Sequence, residues 1–214
     1  MIGNDILVCG GKSKAQGRHK SCSVIDQWNN VTEIAMLDKR YGASSVLINK
    51  TLLWIVGNIN AKCIEITLTF EHIFIGGNNG LKDLSTTELI HVEKNLSHEG
   101  IKLSFTISFH CIVEINANKF IIIGGKQDGV VSGLTWIVDF KHNATIVSGP
   151  TLKHERYLMS CGRMVNEQDN IEIIVAGGKD KNGATLDSAE ILEWGNDHWR
   201  KGDSISLHTI HINY

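Results

Sequence analysis

Proline is almost absent from this sequence of 214 residues, which contains a single copy at Pro150. The turns must therefore be made mainly by its 21 glycines, together with asparagine and aspartate. Short segments separated by Gly, Asn and Asp turns are typical of β-strands and hairpins. The composition thus predicts an all-β protein.

A long hydrophobic run is also missing. The longest apolar stretches, such as residues 120–123 and 171–176, are far too short to cross a bilayer as a helix. Residues 1–5 show no basic segment followed by an apolar one, so no signal peptide is predicted. We therefore expect no membrane partner. The compartment stays open, with the cytoplasm favoured and an extracellular location left open if the sequence is truncated at its N-terminus.

Neither sign of charge dominates, because 21 Lys and Arg residues face 23 Asp and Glu residues for a formal net charge of -2. A protein that binds nucleic acid normally concentrates basic residues on one face to contact phosphates. The scattered basic residues therefore predict no nucleic-acid partner. With an apolar share of 42%, the chain is long enough to form one domain.

The cysteines are odd in number and lack a CxxC pair, the spacing typical of zinc and redox sites. We therefore expect no metal and no cofactor, and interpret the cysteines as small buried hydrophobes in strands. They are Cys9, Cys22, Cys63, Cys111 and Cys161.

Four N-x-S/T sequons begin at Asn30, Asn49, Asn95 and Asn143. A chain this rich in Asn, Ser and Thr is expected to contain about two or three by chance. The sequons therefore leave the compartment open.

An internal repeat is the clearest pattern in the sequence. An apolar strand that ends in two glycines recurs at a spacing of about fifty residues, which is typical of repeat architectures. A degenerate copy ends at Gly57, too close to the next doublet for a complete unit. Adjacent residues without Cβ allow positive φ and close backbone packing, so we interpret the doublets as structural. They are Gly10 and Gly11, Gly76 and Gly77, Gly124 and Gly125, and Gly177 and Gly178.

Each unit is predicted to contain four short antiparallel strands. An inner strand leads to the glycine-doublet strand, and a polar loop, a third strand and an outer strand follow. The whole chain, 1–214, is interpreted as one domain or a fragment of a longer one, with five units if incomplete ones are counted and four if they are not. The approximate units are 1–38, 39–66, 67–106, 107–150 and 151–202, with 203–214 as a possible ring-closing strand.

The order of an apolar strand, Gly-Gly, a polar loop, Ser/Thr-x-Glu and an aromatic residue resembles the Kelch motif over nearly the whole chain. The resemblance implies a Kelch-type β-propeller of about four to five blades, some of them incomplete. Glu88 and Glu190 occupy the glutamate position, and Trp199 best matches the late tryptophan of the motif. In that family such glutamates stabilise the blade through hydrogen bonds and ion pairs, here with residues such as Arg40 or Arg156.

Most Kelch-type domains are protein-interaction modules, so the resemblance implies another protein or peptide as partner and a scaffold or substrate-adaptor role. A propeller holds its strands rigidly and presents variable loops on its faces. The loop residues that we expect to contact a partner are Arg18, His19, Asn78, Asn79, Lys126, Asp128, Lys179 and Asp180.

No catalytic constellation emerges from the sequence. A Gly-x-Ser-x-Gly elbow is absent, and the tyrosines do not match the motifs of Kelch-type copper oxidases. His208 and His211 are three residues apart, so in a strand they point to opposite faces and cannot share a metal ion. His110 is interpreted as a structural histidine. We therefore predict that the protein is not an enzyme, with an enzyme or carbohydrate-binding propeller that has a pocket on the ring axis as the alternative.

Overall fold

The computed structural model describes residues 6–9, 12–13, 17–25, 30–37, 39, 41–46, 71–91, 96–116, 118–139 and 144–202. All the secondary-structure elements within these ranges are strands, so the expected all-β class is confirmed. The predicted features at Gly10, Gly11 and Gly57 and in residues 203–214 lie outside the described residues.

The strands are short and follow one another closely along the chain. In chain order they are β1 (Ile6–Cys9), β2 (Lys12–Ser13), β3 (Gly17–Arg18), β4 (Ser21–Ile25), β5 (Val31–Ala35), β6 (Ser44–Val46), β7 (Glu71–Ile75), β8 (Leu84–His91), β9 (Leu96–Ile107), β10 (Cys111–Asn116), β11 (Lys119–Ile123), β12 (Lys126–Gln127), β13 (Val130–Val131), β14 (Thr135–Asp139), β15 (Thr145–Ser148), β16 (Ser160–Val165), β17 (Ile171–Ala176), β18 (Ala189–Glu193) and β19 (Arg200–Lys201).

The described strands form four larger antiparallel sheets in which neighbours along the chain are neighbours in space. Sheet 1 has the order β1-β4-β5, sheet 2 β6-β7-β8-β9, sheet 3 β10-β11-β14-β15 and sheet 4 β16-β17-β18-β19. The hairpins β2-β3 and β12-β13 lie in the loops of sheets 1 and 3. Ser44 pairs with Ile75, so the described strands of the predicted units 39–66 and 67–106 share sheet 2.

The hydrophobic core lies between successive sheets. Strand β11 reads as an unbroken apolar run because both of its faces are buried. Phe120 and Ile122 pack into the cluster shared with sheet 2, while Ile121 and Ile123 pack into the cluster shared with sheet 4. The first strands of sheets 2, 3 and 4 contact one another in turn. Sheet 3 therefore buries one face against sheet 2 and the other against sheet 4.

The glycine doublets join one sheet to the next. The Gly77 N–H donates at 2.7 Å to the carbonyl oxygen of Ile107, the last residue of β9 before the chain enters sheet 3, and the Gly125 N–H donates at 2.8 Å to the carbonyl oxygen of Arg156, which precedes the first strand of sheet 4. A Cβ on Gly125 would lie 2.5 Å from the Ser108 carbonyl oxygen. Only glycine allows this approach, and the backbone takes positive φ at Gly76, Gly77, Gly124, Gly125, Gly177 and Gly178.

A buried ion pair anchors sheet 4. Arg156 and Glu190 are almost completely buried, and Arg156 Nη2 lies 3.0 Å from Glu190 Oε1, the pairing that the sequence predicts. The guanidinium also donates to the carbonyl oxygens of Gly177 and Ser188. Two backbone N–H groups, those of Lys153 and His154, donate to the Glu190 carboxylate. Every charge of the pair is therefore compensated by hydrogen bonds.

Sheet 2 retains the glutamate of this arrangement. Glu88 is fully buried and accepts a hydrogen bond from the Leu37 N–H at 2.8 Å. Arg40, the other predicted partner residue, lies outside the described residues.

Sheet 3 replaces both charges of this anchor by apolar side chains. The strand registers place Trp136 at the position that Glu190 occupies in sheet 4. Ile107 corresponds to Arg156, because its carbonyl oxygen accepts from Gly77 as that of Arg156 accepts from Gly125. Ile107 is completely buried, and Trp136 packs against the same core cluster. The Trp136 ring stacks on Phe105 at 4.2 Å between centroids. Replacing both members of a buried ion pair by well-packed apolar groups is energetically acceptable, whereas replacing one is not.

Trp199 ties sheet 4 to the chain that leaves sheet 3. Its side chain is completely buried, and its indole Nε1–H donates to the Pro150 carbonyl oxygen at 2.8 Å. A buried tryptophan needs such a partner for its N–H group. The residue that the Kelch pattern singled out therefore has a structural contact in this fold.

The cysteine interpretation is wrong for Cys111 and Cys161, which form a disulfide with their Cα atoms 6.2 Å apart. The bond connects β10 to β16 and thus the first strands of sheets 3 and 4. Cys22 is disulfide-bonded as well, to a residue whose side chain lies outside the described part of the chain. The spacing of about fifty residues between the paired cysteines equals one repeat and gave no CxxC signal, so sequence alone did not suggest the pair.

Replacing Glu190 tests the buried ion pair. We expect Glu190→Ala to lower the free energy of unfolding by about 3–5 kcal/mol, because Arg156 would keep its charge in the core without a partner. Urea denaturation measures the change. The exposed Glu167→Ala provides the control and should change stability by less than about 0.5 kcal/mol. Equal losses for the two variants would contradict the role of the pair.

Candidate functional site

Three loops follow the glycine doublets and lie at the same end of their sheets. They are the first loop (residues 78–83), the second loop (126–131) and the third loop (179–185), which together we call the loop face. Backbone bridges connect Asn78 to Tyr41 and Lys179 to Tyr157, at the beginning of the first strands. The loop face is therefore fixed to the same strand ends that carry the inter-sheet contacts.

Side-chain hydrogen bonds hold the first loop in one conformation. Asn78 donates through Nδ2 to Asp83 Oδ1 at 2.9 Å and accepts from the Gly80 N–H at 2.6 Å. Asn79 Oδ1 accepts from the N–H groups of Leu81 and Lys82. The two asparagines predicted as partner contacts thus use these groups to order the loop.

The second loop is bonded to the first. Asp83, which is buried, accepts a hydrogen bond from the Gly129 N–H at 2.7 Å. Asp128 has positive φ, and its backbone N–H and carboxylate both bond to the Thr106 hydroxyl. One buried carboxylate therefore joins two neighbouring loops.

The third loop is closed by Asp180. Its Oδ1 accepts hydrogen bonds from the N–H groups of Asn182 and Ala184 at 2.8 and 2.9 Å. Lys179, whose backbone bridges to Tyr157 and Thr185, is exposed. The lysine is available to a partner, whereas the aspartate carboxylate is occupied by its own turn.

Apolar side chains protrude from the first two loops. Leu81 is 94% exposed and Val130 is 70% exposed. Leu81 is the single apolar residue of the first loop, and Val130 adjoins the buried Val131 in the second. Sequence reasoning selected the polar loop residues and missed these two, although the isolated leucine inside a polar turn is a readable signal.

Lys126 lies over an aromatic cluster beside the loops. Its Nζ is 4.2 Å from the centroid of the Tyr157 ring and 5.8 Å from that of Phe109. Phe109 makes edge contacts with Tyr41 at 5.5 Å and with Tyr157 at 6.3 Å. Phe109 also has positive φ, which is unusual for an aromatic residue. The lysine predicted as a contact is thus positioned by cation–π interactions.

A groove of about 710 Å³ separates the second loop from the third. This volume lies within the range of natural ligand sites, about 300–1,000 Å³. Its lining mixes apolar residues with charged and polar ones. Its lining includes Val130, Val131, Leu134, His154, Asp180 and Lys181.

Arg18 and His19, the candidates near sheet 1, follow a different hairpin. The backbone of Arg18 pairs with that of Lys12, and His19 is half-buried. The pKa of Glu33 is lowered mainly by its hydrogen bond from Ser23, with a smaller electrostatic contribution from His19. No hydrogen bond connects these two candidates to the three loops within the described residues.

His110 is buried in front of β10. Burial lowers its pKa to about 3, so the imidazole is neutral at physiological pH. A Cβ on Gly125 would lie 2.7 Å from His110 Cβ, which shows how tightly the histidine packs against the doublet. Its position fits the structural role expected from the sequence.

Glu114 and Arg163 bring opposite charges to the first strands of sheets 3 and 4. Burial raises the pKa of Glu114, and the charge of Arg163 acts in the opposite direction. Within the described ranges no group of three or more His, Cys, Asp and Glu residues is arranged to hold a metal ion. No helix among the described residues is long and apolar enough to span a membrane.

Acid titration tests the burial of His110. An unfolded histidine has a pKa near 6.5 and binds a proton that the folded state excludes until about pH 3, so stability falls as the pH drops through this window. We expect the free energy of unfolding to fall by about 1.4 kcal/mol per pH unit more in the wild type than in His110→Gln. Urea denaturation between about pH 6 and pH 4 measures both slopes. A wild-type slope in His110→Gln would refute the assignment.

Comparison with known proteins gives a fold relationship. No family model matches the sequence, and no curated protein matches it. The solved structure of YjhT is similar, with a TM-score of 0.72 and 12% sequence identity over 95% of this chain and 68% of that chain. At this identity the likeness shows a shared fold.

Proposed function

We propose that this chain is a Kelch-type β-propeller domain, or the larger part of one, and that it binds another protein through the loop face. Four-stranded antiparallel sheets whose first strands contact one another in sequence support a radial arrangement of blades. The glycine doublets recur at the positions expected of that family, and sheet 4 has the buried Arg156–Glu190 pair that the resemblance implies.

The observation that carries the binding proposal is the combination of fixed loops and exposed apolar tips. Hydrogen bonds to Asn78, Asp83 and Asp180 order the loops before any partner arrives. A loop that is already ordered loses less conformational entropy when it binds. Leu81 and Val130 then offer apolar area that a partner can bury.

The groove between the second and third loops favours a second candidate, the binding of a carbohydrate. Its lining combines aliphatic side chains with His154 and Lys181, whose side chains can hydrogen-bond to hydroxyls. The two candidates differ in the residues they need. Protein binding depends on Leu81 and Val130 at the loop tips, whereas carbohydrate binding depends on polar residues of the groove such as Lys181.

Substitutions at the loop tips test the protein-binding proposal. The wild-type chain is immobilised, its stoichiometric protein partner is isolated, and affinity is measured for Leu81→Asp and Val130→Asp. We expect each change to weaken partner binding about tenfold or more, because a charge replaces an apolar contact. Both residues are exposed, so stability in urea should change by less than about 0.5 kcal/mol.

Val147→Asp is the matched control, because Val147 is 55% exposed on the outer strand β15. It should bind the partner as the wild type does. Retained affinity in both loop variants, or the absence of a protein partner together with carbohydrate binding that Lys181→Ala abolishes, would contradict the proposal.

A further inference from the structure

The sequon Asn30-Val31-Thr32 lies on the surface of sheet 1. Asn30 is exposed and comes directly before β5, the last strand of that sheet. Val31 is 59% exposed, and Thr32 is exposed as well. Both the acceptor amide and the hydroxyl that defines the sequon therefore lie where a glycan can extend into solvent without displacing the core.

The disulfides supply an independent observation about the compartment. Cys111 and Cys161 are bonded between two sheets, and Cys22, on the strand that pairs with β5, is disulfide-bonded too. Disulfides form and persist in oxidising compartments and are rare in the cytosol. The secretory lumen is such a compartment, and N-glycosylation of sequons is a modification of secreted proteins.

The location of the sequon also gives a glycan a physical effect. An outer strand with exposed apolar side chains is a template for pairing with another chain. The side chains of β5 are exposed except for Ile34. A bulky hydrophilic group beside Val31 would hinder such pairing while leaving the buried face of the strand untouched.

We propose that Asn30 carries an N-linked glycan and that the chain matures in an oxidising secretory compartment, in place of the cytoplasmic location that the sequence favoured. The carboxamide nitrogen of Asn30 forms a bond to the anomeric carbon of a lipid-linked oligosaccharide pyrophosphate. The bond from that carbon to the pyrophosphate oxygen breaks, the amide loses one proton, and the lipid pyrophosphate leaves. The sequons at Asn49, Asn95 and Asn143 begin outside the described residues and carry no part of the proposal.

The protein isolated from the cells that make it provides the test. An amidase that releases N-glycans converts the acceptor asparagine to aspartate, which peptide mass spectrometry locates. We expect this conversion at position 30. An unmodified Asn30, including the case in which only another sequon is occupied, overturns the proposal.

Matched substitutions at Thr32 connect the modification to the sequon. In a secretory cell, Thr32→Ser preserves the sequon and should keep the wild-type electrophoretic mobility, whereas Thr32→Ala should lose the mobility of one glycan. Thr32 is exposed, so both variants are expected to fold. Identical mobility of the wild type, Thr32→Ser and Thr32→Ala would count against the proposal.

Discussion

The close backbone approach at the glycine doublets is the constraint on which the rest of the structure depends. Each sheet is too small to bury its own faces, so it must pack against the next one. The doublet ends the second strand with positive φ and leaves room for the segment that leads into the neighbouring sheet. The hydrogen bonds of Gly77 and Gly125 to that segment form there, and the loops of the candidate site begin at the next residue.

Sheets 3 and 4 both have the glycine-doublet contact, but the second interaction that stabilises each sheet differs. Sheet 4 uses the buried Arg156–Glu190 pair, whereas sheet 3 uses Ile107 and Trp136 at the corresponding positions. Both solutions leave no buried charge without a partner. The Trp136 Nε1–H nevertheless has no hydrogen-bond partner among the described residues. Compared with sheet 4, sheet 3 therefore gains apolar packing but leaves the buried N–H group of Trp136 without a hydrogen-bond partner among the described residues.

The strand pattern and the glycine positions could be predicted because each depends on local chemistry. Turn residues separate the strands, and only glycine readily takes the positive φ found at Gly124 and Gly125. The Cys111–Cys161 bond could not be predicted, since it depends on which strands become neighbours. The bonds of Asn78 and Asp180 within their own loops are local, and their turn sequences are compatible with them. The exposure of Leu81, in contrast, depends on what packs around its loop. Spatial neighbours decide the disulfide and this exposure.

The stability of Gly125→Ala relative to Gly129→Ala tests the account most directly. Both glycines have positive φ, so alanine introduces similar backbone strain at each position. A Cβ at Gly129 meets nothing within 4 Å, whereas one at Gly125 meets the Ser108 carbonyl oxygen at 2.5 Å. We predict that Gly125→Ala loses at least about 2 kcal/mol more of unfolding free energy in urea than Gly129→Ala, because the sheets must separate. Equal losses would show that the sheets do not depend on this approach.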